Sequence, residues 1–145
     1  MIRGYFLTRG GRRRPFVQAL ITSASLARPL DVQLLVDTGA DRTVLAPIDA
    51  RRAGLDLRTL PRGAPSTGVG GVAPTRLLRA RLVLDEFATD LELPAIEPPD
   101  PPVQIPTIPS LLGRDIIGRF ALFMDVRTDR LLLLDAGEMA ALNVP

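Results

Sequence analysis

Asp37-Thr38-Gly39-Ala40, directly after the apolar run Leu34-Leu35-Val36, is the one stretch of this chain whose residue types and spacing form a chemical site. An acid stands there where a buried strand ends and a turn begins, so its carboxylate is held from below and open above. A carboxylate so placed can take a proton from water or give one to a carbonyl oxygen. Composition removes the competing chemistries. The chain has no His and no Cys, and all 18 of its basic residues are Arg. Serine triads, cysteine nucleophiles, Schiff-base lysines, Ser-Lys dyads and Cys/His zinc sites are therefore excluded within it. Proton transfer falls to carboxylates, and neither a metal nor another cofactor is expected.

The elements that must position this acid are mostly strands. Residues 30–36 read as the core strand that delivers Asp37. Before it, residues 5–7 turn through Gly10-Gly11 into residues 16–21 as a β-hairpin, with Arg12, Arg13 and Arg14 solvated at the turn. The same arginines and the apolar residues after them loosely match a twin-arginine export signal. Gln18, Ser23 and Ser25 interrupt its apolar part, so the hairpin, and with it a cytoplasmic chain, is the expectation and export the alternative. Pro47 opens and Gly54 closes a short helix over residues 48–53. Residues 75–84 form a half-buried strand paired across Asp85-Glu86 with residues 87–93. Seven prolines from Pro94 to Pro109 argue against a central strand or a helix and predict an extended surface loop. Residues 116–120 read as a short helix capped by Asp115 or Ser110. Residues 120–126 and 131–134 form a last hairpin, and residues 138–142 a final helical turn.

At 145 residues and 46% hydrophobic content, with no internal repeat, the chain is expected to form one domain over residues 1–145. No apolar stretch reaches the length that spans a bilayer. A net charge of +2 is too small to imply a nucleic-acid partner.

The run Leu35-Val36-Asp37-Thr38-Gly39-Ala40-Asp41-Arg42-Thr43-Val44-Leu45 resembles the active-site segment of the retropepsin-like aspartic proteases, single-lobed relatives of pepsin that include the retroviral proteases. Two further landmarks follow in that family's order. Gly68-Val69-Gly70-Gly71 is similar to its glycine-rich flap tip, and Leu111-Leu112-Gly113-Arg114-Asp115 to its hydrophobic-Gly-Arg-Asp/Asn motif before a short helix. The resemblance spans residues 34–120. The proline-rich stretch and the tail after Asp135 have no counterpart in the compact viral enzymes, which sets the chain closer to cellular and bacterial members. Arg42 stands where the retroviral pattern has a second acid, so viral substrate preferences do not carry over.

This resemblance implies an all-β, closed-barrel-like fold with one or two short helices and the activity of an aspartic endopeptidase. Peptide hydrolysis by this route needs two facing carboxylates that share a proton. The chain holds one Asp-Thr-Gly, so a working site implies a C2 homodimer with Asp37 of each subunit at the axis. Thr38 would then hydrogen-bond across the axis, and Gly39 would leave room for the substrate backbone. Ala40, Asp41, Gly68, Val69, Gly70 and Gly71 would border a peptide or protein substrate, the last four at the tip of a mobile hairpin. Arg114 would support the loop from behind by pairing with Asp41. The alternative is a non-catalytic dimerising or peptide-binding module that keeps the fold. The acid itself argues against it, because a scaffold gains nothing from two like charges meeting at an axis.

Overall fold

The computed structural model of the chain describes residues 1–68, 71–99 and 108–142. Its strands are β1 (Ile2–Arg9), β2 (Arg12–Thr22), β3 (Leu30–Val36), β4 (Ser66–Gly68), β5 (Gly71–Ala73), β6 (Thr75–Leu84), β7 (Phe87–Ile96), β8 (Leu111–Leu112), β9 (Ala121–Asp125) and β10 (Arg130–Leu134). Between them lie helices α1 (Pro47–Arg52), α2 (Arg114–Ile117) and α3 (Ala136–Ala141), with a single 3-10 turn at Leu57–Thr59.

Local chemistry accounts for most of these elements. Gly10 and Gly11 both sit at positive φ, +58° and +72°, the two-residue turn whose twist suits a hairpin, and it sets the register Arg9↔Arg12 to Gly4↔Val17. In β3, Leu30, Val32, Leu34 and Val36 all turn to the core, as a period of two requires. Pro47 opens α1, and Asp85, at φ +49°, makes the turn from β6 to β7. Helix α3 starts at Ala136, two residues before the expected turn. Asp135 and Glu138 form a reciprocal capping box there, with bonds of 2.8 and 2.9 Å.

Strand β2 is the hub of the sheet. Along one edge it pairs first with β1 and then with β6, and along the other with β3. The order runs β7-β6-β2-β1-β10-β9, with β3 beside β2 and β8 beside β3. The expected barrel closure is absent. The end strands β7 and β9 do not pair, and side chains join the two ends instead: Phe87 meets Phe120 edge to face, with centroids 5.0 Å apart, and Arg119 donates to Thr89 Oγ1 at 3.2 Å. The core between these layers is rich in leucine, including the fully buried Leu45, Leu78, Leu82, Leu84, Leu93, Leu112 and Leu133. Among the described residues every buried side-chain nitrogen and oxygen has a hydrogen-bond partner. No helix of the described residues is long and apolar enough to cross a membrane.

Two expectations are corrected here. Strand β7 runs through Pro94 to Ile96 where a proline-rich loop was expected. Pro94 faces Leu77, whose N–H turns away to the Pro61 carbonyl, while the Pro94 carbonyl accepts from Leu45 N–H at 2.8 Å. The proline thus occupies a non-hydrogen-bonded position of the β6–β7 ladder, where its missing N–H removes no ladder bond. Residues 100–107 of that stretch lie outside the described residues. Helix α2 starts at Arg114 behind Gly113, one residue ahead of Asp115, so neither expected residue stands at its cap: Asp115 lies within the first turn, where its Oδ1 accepts Ile116 N–H at 3.0 Å, and Ser110 Oγ accepts Ala46 N–H instead.

Candidate functional site

Strand β3 ends at Val36, and the loop that follows is gripped from below by β8. Leu35 N–H donates to Ser110 O at 2.9 Å and Asp37 N–H to Leu112 O at 3.1 Å, which continues the parallel pairing of β3 with β8. After the loop the chain returns on the other side of the same strand, where Val44 and Leu111 exchange two backbone bonds of 3.0 Å each. Strand β8 therefore threads between the two limbs of the loop. The first turn of α2 closes the floor, with Arg114 N–H donating to Ala40 O at 2.9 Å and Asp115 N–H to Asp41 O at 3.2 Å.

Above this floor the loop turns tightly. The half-buried Asp37 accepts Gly39 N–H at Oδ1, 2.9 Å away, and its carbonyl accepts Ala40 N–H at 3.2 Å. Thr38 and Gly39 are exposed at the top. The result is a half-buried carboxylate with one oxygen fixed by backbone.

Thr43 is the residue that ties the loop to the floor, and sequence reasoning gave it no role. It is fully buried, its N–H and Oγ1 both donate to Asp115 Oδ1 at 2.9 and 2.8 Å, and Oγ1 accepts Gly113 N–H at 3.1 Å. The buried Ser110 does the same for the start of α1: its Oγ donates to Asp49 Oδ2 at 2.6 Å and accepts Ala46 N–H at 2.8 Å. Neither contact has a local signal, since the partners are 72 and 61 residues apart. Thr43→Val keeps the shape but strands the buried Gly113 N–H. We expect a loss of about 1–3 kcal/mol, read by denaturant unfolding.

Arg114 does pair with Asp41, as the resemblance implied. Both side chains are well exposed, however, at 58% and 81%, so the pair adds little stability and the supporting role passes to Thr43, Gly113 and Asp115. Arg42 is exposed and donates to Glu92 O at 3.0 Å.

Strands β4 and β5 form a separate two-stranded ribbon with the pairs Ser66↔Ala73 and Gly68↔Gly71. Its near-tip residues Gly68, Gly71 and Val72 are exposed. Val69 and Gly70, also expected at this tip, lie outside the described residues. The root is tied down by Gly63 N–H to Thr75 O at 3.0 Å, Thr75 Oγ1 to Ala64 O at 2.8 Å, and a half-buried Arg76–Glu97 ion pair at 2.9 Å. It is joined to the acid's loop through β7, because Leu45 bonds both Pro94 and Ile96 while Glu97 N–H donates to Pro74 O. A shallow surface concavity bordered by Thr22, Ser23, Arg79 and Asp90 lies at the end of β2 away from Asp37. No cluster of three or more acids that could hold a metal ion occurs among the described residues.

This arrangement has close parallels. The EIAV protease in complex with the inhibitor HBY-793 superposes with a TM-score of 0.53 at 27% identity, over 77% of this chain and 92% of that one. A retropepsin-like aspartic protease from Rickettsia conorii gives a TM-score of 0.56 at 20% identity, over 90% of this chain and 96% of that one. No curated protein matches the chain in sequence. The aspartyl protease family model matches residues 23–116, well over half of the chain, and includes the loop, the ribbon, β8 and the start of α2. With its retropepsin-like fold and its Asp-Thr-Gly loop held on β8, the chain belongs to the aspartyl protease family.

Proposed function

We propose that residues 1–145 act as one unit of a homodimeric aspartic endopeptidase. The observation that carries this reading is the half-buried Asp37, held by Gly39 N–H and backed by β8, in a chain with a single Asp-Thr-Gly. Two such loops meeting at a two-fold axis bring two carboxylates together around one proton and one water. One carboxylate takes a proton from the water as it attacks the peptide carbonyl, and the other donates to the carbonyl oxygen. Thr38 bonds across the axis, Gly39, Ala40 and Asp41 line the floor under the substrate backbone, and the β4–β5 ribbon acts as the flap. Among the described residues strand β9 has one edge without a partner strand, with Phe123 and Met124 exposed at 43% and 52%, a feature that suits a chain made to associate. Incubation with a diverse peptide library, with and without the transition-state mimic pepstatin, tests the reading. Inhibitor-sensitive cleavage is expected, and its absence at protein concentrations that sustain a dimer would contradict it.

The flap assignment has its own consequence. Gly71 sits at φ +124°, a conformation that a β-branched residue resists even though an added Cβ would meet nothing within 4 Å. Gly71→Val re-bends a ribbon that is not paired with the main sheet. We expect turnover to fall on the order of tenfold, from a local strain of about 1–3 kcal/mol, with little change in melting temperature. Equal losses of stability and activity would make the ribbon a structural turn.

A further inference from the structure

Three arginines at the tip of the first hairpin have no role in the proposed catalysis, and their place in the sheet gives them one. In β1 and β2, Arg9 pairs with Arg12 and Leu7 with Arg14, so Arg9, Arg12 and Arg14 share one face with Phe16 and Leu35. The β2–β3 register ends at Phe16↔Leu35, and carried two residues further it brings Arg14 level with Asp37. Strand β3 has stopped by then, so residues 12–15 carry β1 on one edge and, among the described residues, no strand on the other. Arg12 and Arg14 are exposed, and none of the three arginines makes an ion pair among the described residues. Arg9 is held over the Phe16 ring at 5.4 Å and donates to Gln33 Oε1 at 3.2 Å. By contrast Arg13, on the opposite face, is committed to Asp129 and the Val126 carbonyl.

We propose that this arginine face selects peptide substrates with acidic side chains flanking the scissile bond. The inference rests on the protease reading and adds the substrate class. A peptide crossing the Asp37 loop passes beside the open edge of residues 12–15. Two uncompensated guanidinium groups there favour carboxylates, by up to about fivefold for each partly exposed pair. The test uses one cleavable sequence in two versions, with Glu or Gln at the flanking positions. The wild type is expected to cut the Glu version with a kcat/KM on the order of tenfold higher at low salt, and the preference should shrink as salt rises. In Arg12→Gln/Arg14→Gln the ratio between the two peptides should fall towards one, and in Arg12→Glu/Arg14→Glu it should invert in favour of the Gln version. Equal cleavage of both peptides by the wild type, or a preference that survives in the double variants, would overturn this inference and leave the protease reading standing. Peptides left uncut, yet bound with the same charge dependence by fluorescence anisotropy, would do the reverse.

Discussion

Asp37→Asn is expected to lower peptide hydrolysis by about three orders of magnitude or more while leaving the fold intact. The amide cannot accept the proton of the attacking water, and general acid-base catalysis by one group is worth about 10²–10⁴ in rate. The structural cost is small, because Asp37 sits half-exposed at the top of its loop and an Asn carbonyl oxygen can still accept the Gly39 N–H now held at 2.9 Å. The substitution also removes repulsion between two like charges at the proposed axis, so association should be undiminished or tighter. Cleavage of an optimised peptide by rigorously purified protein, with sedimentation alongside, checks both parts. Undiminished turnover would sink the carboxylate mechanism.

Gly113→Ala is expected to have the largest effect on stability, at about 3 kcal/mol or more, which lowers the melting temperature of a chain of this size by roughly 6–12 °C. Gly113 has φ −95° and ψ 180°, a conformation open to any residue, so backbone preference is not the reason. Space is. A Cβ there would lie 2.3 Å from the Arg42 carbonyl carbon, 2.5 Å from its oxygen and 2.7 Å from Thr43 N. All three atoms are backbone of the segment that returns from the Asp37 loop, so none can swing aside. The loop must lift off β8, which takes activity with it. Gly68→Ala is the control, since nothing lies within 4 Å of its added Cβ and its φ is not positive, and it should be near neutral.

The features legible in the sequence were those whose causes are local. The bounds of β3 follow from alternating burial ended by Asp-Thr-Gly, the first turn from Gly10-Gly11, and the β6–β7 pair from two apolar runs around Asp85-Glu86. The Asp37 loop itself was legible because strand, acid and turn residues are contiguous. What stayed hidden depends on contacts between distant parts. Pro94 could continue a strand only because its ladder position needs no N–H, and that position is set by pairing with Leu77. Thr43 reads as one more β-branched residue until Asp115 and Gly113 arrive beneath it. The resemblance matched Arg114 to Asp41, but a supporting role behind the loop does not follow from the pair, since both side chains are well exposed. The open sheet had no local signal either: Phe87 and Thr89 of β7 meet Phe120 and Arg119, just before β9, through side chains and not through a ladder.

The central claim, one active site built from the Asp37 of two subunits, is tested most directly by mixing. Wild-type chains and Asp37→Asn chains are co-refolded in varied ratio at fixed total concentration, and the rate on one peptide is measured. If every site needs Asp37 from both chains, activity follows the square of the wild-type fraction when the chains pair at random and falls below it when the variant pairs more tightly, so an equal mixture retains about one quarter of the full rate or less. A linear fall, with about one half retained, would mean that each chain carries a complete site and would contradict the account.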